Sequence, residues 1–439
     1  MQRIKLTKYI NKEFETHSEY AEWFGYYNYD TLNYNQTKML CNRADFDGIA
    51  INQEHTIELG WYDIGRGQWH HIGNTDAFNW QQGAMMQWVP SEGLQNRVIY
   101  NCTKGGKLVS CIYDIESKTE KYIDWPIYGL TPDGKKSISL NFERSYWCRA
   151  YHYQSVVNPK YDVRVAEDDG IFEVDLENNT TKRIVAINDI INKDADPDFE
   201  TAKHWLEHIM ISPDGSKFVF LHRYSHGKAY MTRIGMADIN GRNLQIICGW
   251  RNYKWSHFGW RNPDEFCIYS VKNSQQAELY TKMVQPGKSK SAVNLRTVLM
   301  KLVRLVPNNI RQRIKGQKMG YQHYVYDNGI FHLKNIWQGP NLNIDGHPSF
   351  TNDGRYMVTD SYPDADGFQR LVIMDVITGR SVVVAKLYAP LKGNPASCDL
   401  HPKLCRDNNY VVVDTAYTGK HRMIVFKLDW ARIRNRISS

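Results

Sequence analysis

Several signals that mark whole classes of protein are missing from this chain. No run of about 18 apolar residues occurs, so no membrane-spanning helix is expected. The opening residues, MQRIKLTKYINKEFETHSEY, lack the apolar stretch of a secretory signal. The eight cysteines, at 41, 102, 111, 148, 248, 267, 398 and 405, show no compact disulfide spacing. Together these absences lead us to expect reduced thiols and a cytoplasmic protein, at most peripheral to a membrane. There is no Gly-x-Ser-x-Gly nucleophile turn, no P-loop and no dinucleotide fingerprint, which argues against a serine hydrolase or a nucleotide enzyme. Neither charge sign dominates: 55 basic residues against 47 acidic ones leave +8. That is too modest for a dedicated nucleic-acid binder, whereas an acidic sugar would suit it.

Aromatic residues are plentiful, at 13% of 439 residues with 28 Tyr and 13 Trp. They favour strands, and they also stack on sugar rings. The main organising signal is a repeat. A Ser/Thr-Pro/Asn-Asp-Gly turn precedes a β-rich run in LTPDGKKSISLNF from Leu130, ISPDGSKFVFLHR from Ile211 and FTNDGRYMVTDSY from Phe350. Weaker copies are WRNPDEFCIYS from Trp260 and LCRDNNYVVVDT from Leu404. Asp-Gly supplies the positive backbone angles of a tight hairpin turn. Each such hairpin is followed by a second one, as in GIFEVDLENNTTKRIV and RLVIMDVITGRSVVVAKL. Two hairpins make a four-stranded unit of roughly 40 to 55 residues, the size of a propeller blade. We therefore expect an all-β, seven-bladed β-propeller, one domain over 1–439; a pair of β-sandwiches fits the long-range repeat less well.

Residues 285–320 break the pattern within the fifth blade. Val298, Leu299, Leu302, Val303 and Leu305 fall at helical spacing beside Lys301, Arg304, Arg311, Arg313 and Lys315. A short basic amphipathic helix is expected. Its 296–318 stretch would either touch an anionic membrane surface or a partner, or pack on the propeller's side.

Aligning the turns reveals a second regularity. His208, His347 and His401 each stand six residues before the turn aspartates Asp214, Asp353 and Asp407, and His257 stands three before Trp260 in the matching HFGW. Equivalent positions of successive blades lie on a ring around a propeller's axis, so these imidazoles should converge at the channel mouth. Converging imidazoles from different blades can hold a metal ion. With Cys398, three residues before His401, the expected set is His257, His347, Cys398 and His401. A thiolate in the set favours Zn²⁺, with Mn²⁺ the alternative.

At HWLEHIMISPDG, LHRY, SHFGWRNPDE, DGHPSFTNDGRYMVTDSYPD and CDLHPK the sequence resembles the oligogalacturonate-lyase and ulvan-lyase type of propeller, as it does at FNWQQGAMMQW. The resemblance runs from about residue 55 to 430, and the 285–320 insertion departs from the pattern. It implies seven blades, a bound metal and β-elimination on a uronate-containing oligo- or polysaccharide.

Such chemistry needs a base beside the uronate carboxyl, a cation to neutralise that carboxylate, and an acid for the leaving oxygen. His208 shares the ring position but lies outside the metal set, so it is a candidate base or acid. Arg223 is a candidate carboxylate fork. ERSYWCRAYHY offers His152 and Tyr146 for proton transfer, with Arg144, Arg149, Tyr151 and Tyr153 near them. Trp80, Gln81 and Gln82, beside Asn79, are candidate sugar contacts; the plainer expectation is a polar cluster holding an early blade's inner strand. The competing function is a non-catalytic propeller that binds acidic sugar or protein and uses its metal only structurally.

Overall fold

The structure, a computed structural model, describes residues 2–90, 96–144, 153, 155, 159–225, 230–248, 253–272 and 319–438. Its strands form seven antiparallel sheets, one per blade. Blade one is β3 (Ala21–Trp23), β4 (Lys38–Ala44), β5 (Ile57–Asp63) and β6 (Gln68–Thr75). Blade two is β7 (Gln87–Trp88), β8 (Arg97–Lys104), β9 (Lys107–Asp114) and β10 (Thr119–Ile123). Blade three is β11 (Gly129–Leu130), β12 (Lys136–Leu140), β13 (Gly170–Asp175) and β14 (Thr180–Ala186). Blade four is β15 (Lys203–Ile211), β16 (Lys217–Ser225), β17 (Tyr230–Asp238) and β18 (Gln245–Cys248). Blade five is β19 (Tyr253–Asn262), β20 (Glu265–Lys272), β21 (Met319–Asp327) and β22 (Ile330–Trp337). Blade six is β23 (Ser349–Phe350), β24 (Tyr356–Asp360), β25 (Phe368–Asp375) and β26 (Ser381–Tyr388), with β1 (Ile4–Leu6) added at its outer edge. Blade seven has β27 (Lys403–Leu404), β28 (Tyr410–Thr415) and β29 (Arg422–Leu428) from the C-terminal end of the chain. Its fourth strand is β2 (Ile10–Glu15), paired to β29 from Ile10 opposite Leu428 to Glu15 opposite Ile424. One strand from the beginning of the chain thus closes the ring and satisfies an edge that would otherwise stand open.

The repeated turn works by the same chemistry in its three Asp-Gly copies. Gly134, Gly215 and Gly354 sit at φ of +67°, +73° and +64°. The hydroxyls of Thr131, Ser212 and Thr351 donate to the turn aspartates Asp133, Asp214 and Asp353. In blade seven Asn408 takes the left-handed position at φ +62°, and the Cys405 thiol donates to Asp407. The local turn therefore sets the register of the inner hairpin in each copy.

β20 pairs with β21, Val271 opposite Met319, so the intervening residues interrupt blade five as the sequence indicates. The expected basic helix, including 296–318, lies outside the described residues. Helix α1 (Ile187–Asn192) lies in the long blade-three to blade-four connection. Helix α2 (Trp430–Ile437) was not anticipated. Asp429 caps it by accepting from the Arg432 amide, and Ile433 and Ile437 bury against the cluster formed by blades six and seven. No helix among the described residues is long and apolar enough to cross a membrane.

The axial channel is filled from within. β3 pairs with β4 through Trp23 opposite Asn42, and pairing resumes at the Leu32–Met39 bridge. The intervening Phe24–Thr31 leaves the sheet, and Tyr26 and Tyr27 meet the rings of histidines from later blades. The plug is pinned by blade seven: Asp414 accepts from the amides of Phe24 and Gly25 at 2.9 and 3.0 Å. The same carboxylate takes the buried Lys403 ammonium at 2.8 Å.

Candidate functional site

The four repeat-position histidines do converge. His257 and His347 have ring centroids 3.9 Å apart, His347 and His401 4.3 Å, and His208 and His257 6.3 Å. Bulges aim two of them inward. The β15–β16 pairing slips between Glu207 and Met210, and His208 has φ +51°. The β19–β20 pairing slips between Trp255 and Phe258, freeing Ser256 and His257 from the ladder. His401 reaches its place with φ +42° just ahead of β27. A bulge re-aims a side chain without ending the strand, so His208 and His257 leave the ordinary in-and-out alternation.

Among the described residues, the donor atoms of His347, Asp399 and His401 lie within 4.8 Å of one another. Asp360 organises two of these. Its carboxylate accepts from Nδ1 of His347 at 2.9 Å and from the backbone amides of His347 and His401 at 2.7 and 3.2 Å. Nδ1 is thereby committed, and Nε2 of His347 is buried with no hydrogen-bond partner among the described residues. A carboxylate behind one imidazole nitrogen and a free second nitrogen is the arrangement of a metal-ligating histidine. The donor set and the orphaned nitrogen fit a divalent cation.

Of the expected ligands His347 and His401 fall in this group, Cys398 and His257 do not, and Asp399 takes the third place. Cys398 is buried with its sulfur 3.8 Å from the Asp399 carbonyl. Burial, reinforced by Asp414 and Asp399, pushes its thiol well above the ordinary range. The sequence case for zinc leaned on that thiolate. Two imidazoles and a carboxylate form a harder set that accommodates Mn²⁺. His257 stands beside the triad, its Nδ1 held by Asp345 at 3.3 Å and Ser256 at 3.2 Å. Burial and the Asp360 and Asp345 charges push the Asp399 carboxyl well above its usual value. A bound cation would reverse that balance.

His208 packs against the plug residue Tyr26, their ring centroids 5.0 Å apart. Nδ1 of His208 contacts the Tyr26 hydroxyl, and its Nε2 is 3.4 Å from Glu207. Burial, with Arg223, His257 and His347 adding to it, holds His208 well below the usual imidazole range, so the ring is neutral at neutral pH. Arg223 pairs with Glu207 at 3.2 Å and stacks over Tyr230 at 4.6 Å. The structure therefore joins His208 and Arg223 through Glu207. Neither lines the cleft walled by Asp345 and Tyr362 between blades five and six. Tyr27 locks the plug: its hydroxyl donates to the Phe258 carbonyl at 2.6 Å, and burial raises it far above a normal phenol.

Other expected contacts turn out to be internal. Trp80 is buried, donates to the Ile49 carbonyl and stacks on His421 at 4.7 Å. The side-chain amide of Gln81 donates to the Ser397 carbonyl, and that of Gln82 to the Tyr128 hydroxyl. Asn79 accepts from both backbone amides, so this stretch is the polar cluster that holds an inner loop. Arg144 is buried and donates to the carbonyls of His204, Lys160, Val163 and Arg164. Tyr153 is stacked on Phe142 and bonded to Asn101. These five are held by the fold instead of facing a cleft. Tyr146, Arg149, Tyr151 and His152 lie outside the described residues.

Sequence reasoning missed Tyr26, Tyr27, Glu207, Asp345, Asp360 and Asp399. For two of the three aspartates a signal existed: Asp345 precedes His347 by two, and Asp399 precedes His401 by two. A cleft of about 680 Å³ opens beside the ring, with Asp345 and Tyr362 in its wall. The Tyr362 ring centroid is 6.0 Å from His257 and 5.9 Å from His347.

No protein-family model and no curated protein matches the chain. Solved structures do. An oligogalacturonate lyase in complex with manganese aligns over 98% of this chain and 99% of its own, with a TM-score of 0.59 and 14% identity. The fold is that of the oligogalacturonate lyases. A second such lyase, from Vibrio parahaemolyticus, aligns over 97% and 96% with a TM-score of 0.58 and 13% identity. At these identities the likeness to the oligogalacturonate lyases is one of fold, and the chemistry has to be argued from this chain's own side chains.

Proposed function

We propose that the protein is a lyase that cleaves a uronate-containing oligo- or polysaccharide by β-elimination at the histidine ring. One observation carries the reading: His347, whose ring Asp360 fixes and whose second nitrogen is buried and unpartnered, stands in a close-set donor group with Asp399 and His401, and Tyr26, in contact with His208, packs against His401 with ring centroids 5.6 Å apart. His347, Asp399 and His401 would hold the cation, with His257 beside them. Mn²⁺ suits this harder donor set and Zn²⁺ remains the alternative. A divalent ion bound there supplies positive charge against the uronate carboxylate as negative charge builds on the neighbouring carbon.

The chain's own residues handle the protons. His208 is neutral and so is able to take the proton from the carbon beside the carboxyl. The electron pair of that C–H bond forms the new C=C bond as the β carbon–oxygen bond breaks. The Tyr26 hydroxyl gives its proton to the departing oxygen. Contact between Tyr26 and Nδ1 of His208 lets the proton return to the tyrosine and resets the pair. Glu207 positions His208, and Arg223, engaged by Glu207, acts through that pair and not as the carboxylate fork.

A specific observation favours the non-catalytic reading as the alternative. His208, His347 and His401 are each no more than 3% exposed, which suits a structural metal as well. Incubating the protein with a panel of uronate glycans and following the ultraviolet absorbance of the unsaturated product separates the two. Its appearance supports the lyase, and a flat trace on every glycan rejects it.

A further inference from the structure

The basic side chains are unevenly placed. Residues 2–12 and 427–438 hold eight of them against one acid, Asp429. The fold brings these two segments together. The Arg432 guanidinium donates to the Lys8 carbonyl at 3.1 Å, and the Asp429 amide donates to the Tyr9 carbonyl at 2.9 Å. Helix α2 then runs along the turn end of blades seven and six. Nε1 of Trp430 donates to the Asn408 carbonyl at 2.7 Å, Ser438 meets the Tyr356 hydroxyl at 2.9 Å, and Thr378 donates to the Ile437 carbonyl at 2.6 Å. His347 and His401 stand at the other end of the same inner hairpins, six residues before the turn aspartates.

Ile433 and Ile437 face inward, which leaves Arg432, Arg434 and Arg436 exposed beside Lys8 and beside Arg380 of the β25–β26 turn. Cations in the last turn of a helix complement its dipole. That accounts for Arg434 and Arg436 but not for Lys8 and Arg380. The acids on this edge are engaged. Asp429 caps the helix and faces Arg432 at 3.4 Å, and the buried Asp375 takes Arg355 at 3.0 Å and Ser438 at 2.7 Å. Asp353 and Asp407 close their own turns. Lys8 and Arg436 form no ion pair among the described residues. Between Asp375 and Arg380 stands Ile377, 70% exposed, the most exposed large apolar side chain among the described residues. A single exposed isoleucine is ordinary on a protein surface. One raised on a turn and flanked by several cations matches the interface of a negatively charged bilayer, which takes an apolar side chain below and cations at the headgroups.

We propose that this edge is a docking surface for an anionic lipid bilayer, with Lys8, Arg380 and Arg436 against the headgroups and Ile377 entering the interface. A soluble polyanion would answer the charges but has no use for Ile377. Attachment here places the histidine ring at the far end of its hairpins, away from the lipid. The inference is independent of the lyase reading.

Flotation of the full chain with phosphatidylcholine vesicles, with and without about 30% phosphatidylserine, tests this. Wild type should float with the anionic vesicles and not with the neutral ones, and about 0.5 M salt should release it. Each basic residue near such a surface strengthens binding about fivefold, so Lys8→Gln, Arg380→Gln and Arg436→Gln combined should weaken it about a hundredfold. Ile377→Ser should weaken it severalfold with the charge unchanged. Lys8→Gln alone, at an exposed position and with unchanged melting, separates a lost contact from a lost fold. Wild type that stays with the unbound protein in the presence of anionic vesicles would overturn the proposal. Equal flotation of wild type and the triple variant would overturn it as well. Capture by soluble polygalacturonate that is lost in the triple variant, with no flotation of wild type, would reassign the edge to a glycan and overturn the bilayer.

Discussion

The Asp360 carboxylate accepts a hydrogen bond from Nδ1 of His347 at 2.9 Å while also taking the His347 backbone amide at 2.7 Å. One carboxylate thus fixes both the backbone and the ring of the central histidine. Removing it should let the ring turn. Asp360→Ala is expected to lower the affinity for a divalent ion by about 10- to 100-fold, the usual cost of losing such a partner. Titration of metal-free protein with Mn²⁺ reads this directly.

Ligand identity is separable by adjacent substitutions. Metal analysis of purified protein should find about one ion per chain, with His347→Ala or Asp399→Asn losing it. Cys398→Ser should keep it, since the thiol is buried against a backbone carbonyl. Retention by Asp399→Asn with loss by Cys398→Ser would restore the thiolate set.

The turn repeat was legible because each Asp-Gly turn is a local device, complete within a few residues. The histidine ring was legible because His208, His347 and His401 hold one offset from those turns. What could not be read depends on distant partners. Asp399 and Cys398 are neighbours, and only the bend of the chain ahead of β27 decides which one faces the triad. Trp80, Gln81 and Gln82 looked like sugar contacts until their partners Ile49, Ser397 and Tyr128, all distant in sequence, filled them. The Tyr26–Tyr27 plug carries no repeat signature, because it is an excursion peculiar to blade one.

That plug depends on Asp414. Lys403 and Asp414 form a buried pair, and Asp414 also holds the Phe24 and Gly25 amides. Asp414→Ala leaves a buried ammonium and two amides without their acceptor. A loss of about 3–5 kcal/mol is expected, measured by denaturant unfolding. A loss below about 1 kcal/mol would mean that the plug is held elsewhere.

Blade four should carry an acid-sensitive element. His204 and His222 are joined at 2.9 Å, and Arg233 donates to His222 at 3.1 Å. Burial, with Arg233 and His204, holds His222 well below the usual imidazole range. The unfolded chain therefore binds a proton that the folded chain refuses. The stability this group contributes is full above its unfolded value and falls as pH drops below it. Comparing unfolding free energies across mildly acidic pH, His222→Gln should reduce the slope by up to about 1.4 kcal/mol per pH unit. An unchanged slope would show that His222 takes up a proton without penalty.

Proton handling is tested at two adjacent groups. On a glycan that the wild type cleaves, His208→Ala should lower turnover by about a hundredfold or more, with fold and metal retained. Tyr26→Phe should lower turnover while leaving metal content unchanged. Wild-type rates in both variants would remove the pair from the mechanism.

The most direct test of the account is the mass of the products. Manganese-loaded protein is incubated with uronate oligosaccharides of defined length, and both fragments are weighed by mass spectrometry. Elimination adds no water, so the two fragment masses should sum to that of the substrate, with the unsaturation on the fragment beyond the broken bond. Fragments that together exceed the substrate by one water, or a panel left intact, would contradict the lyase assignment.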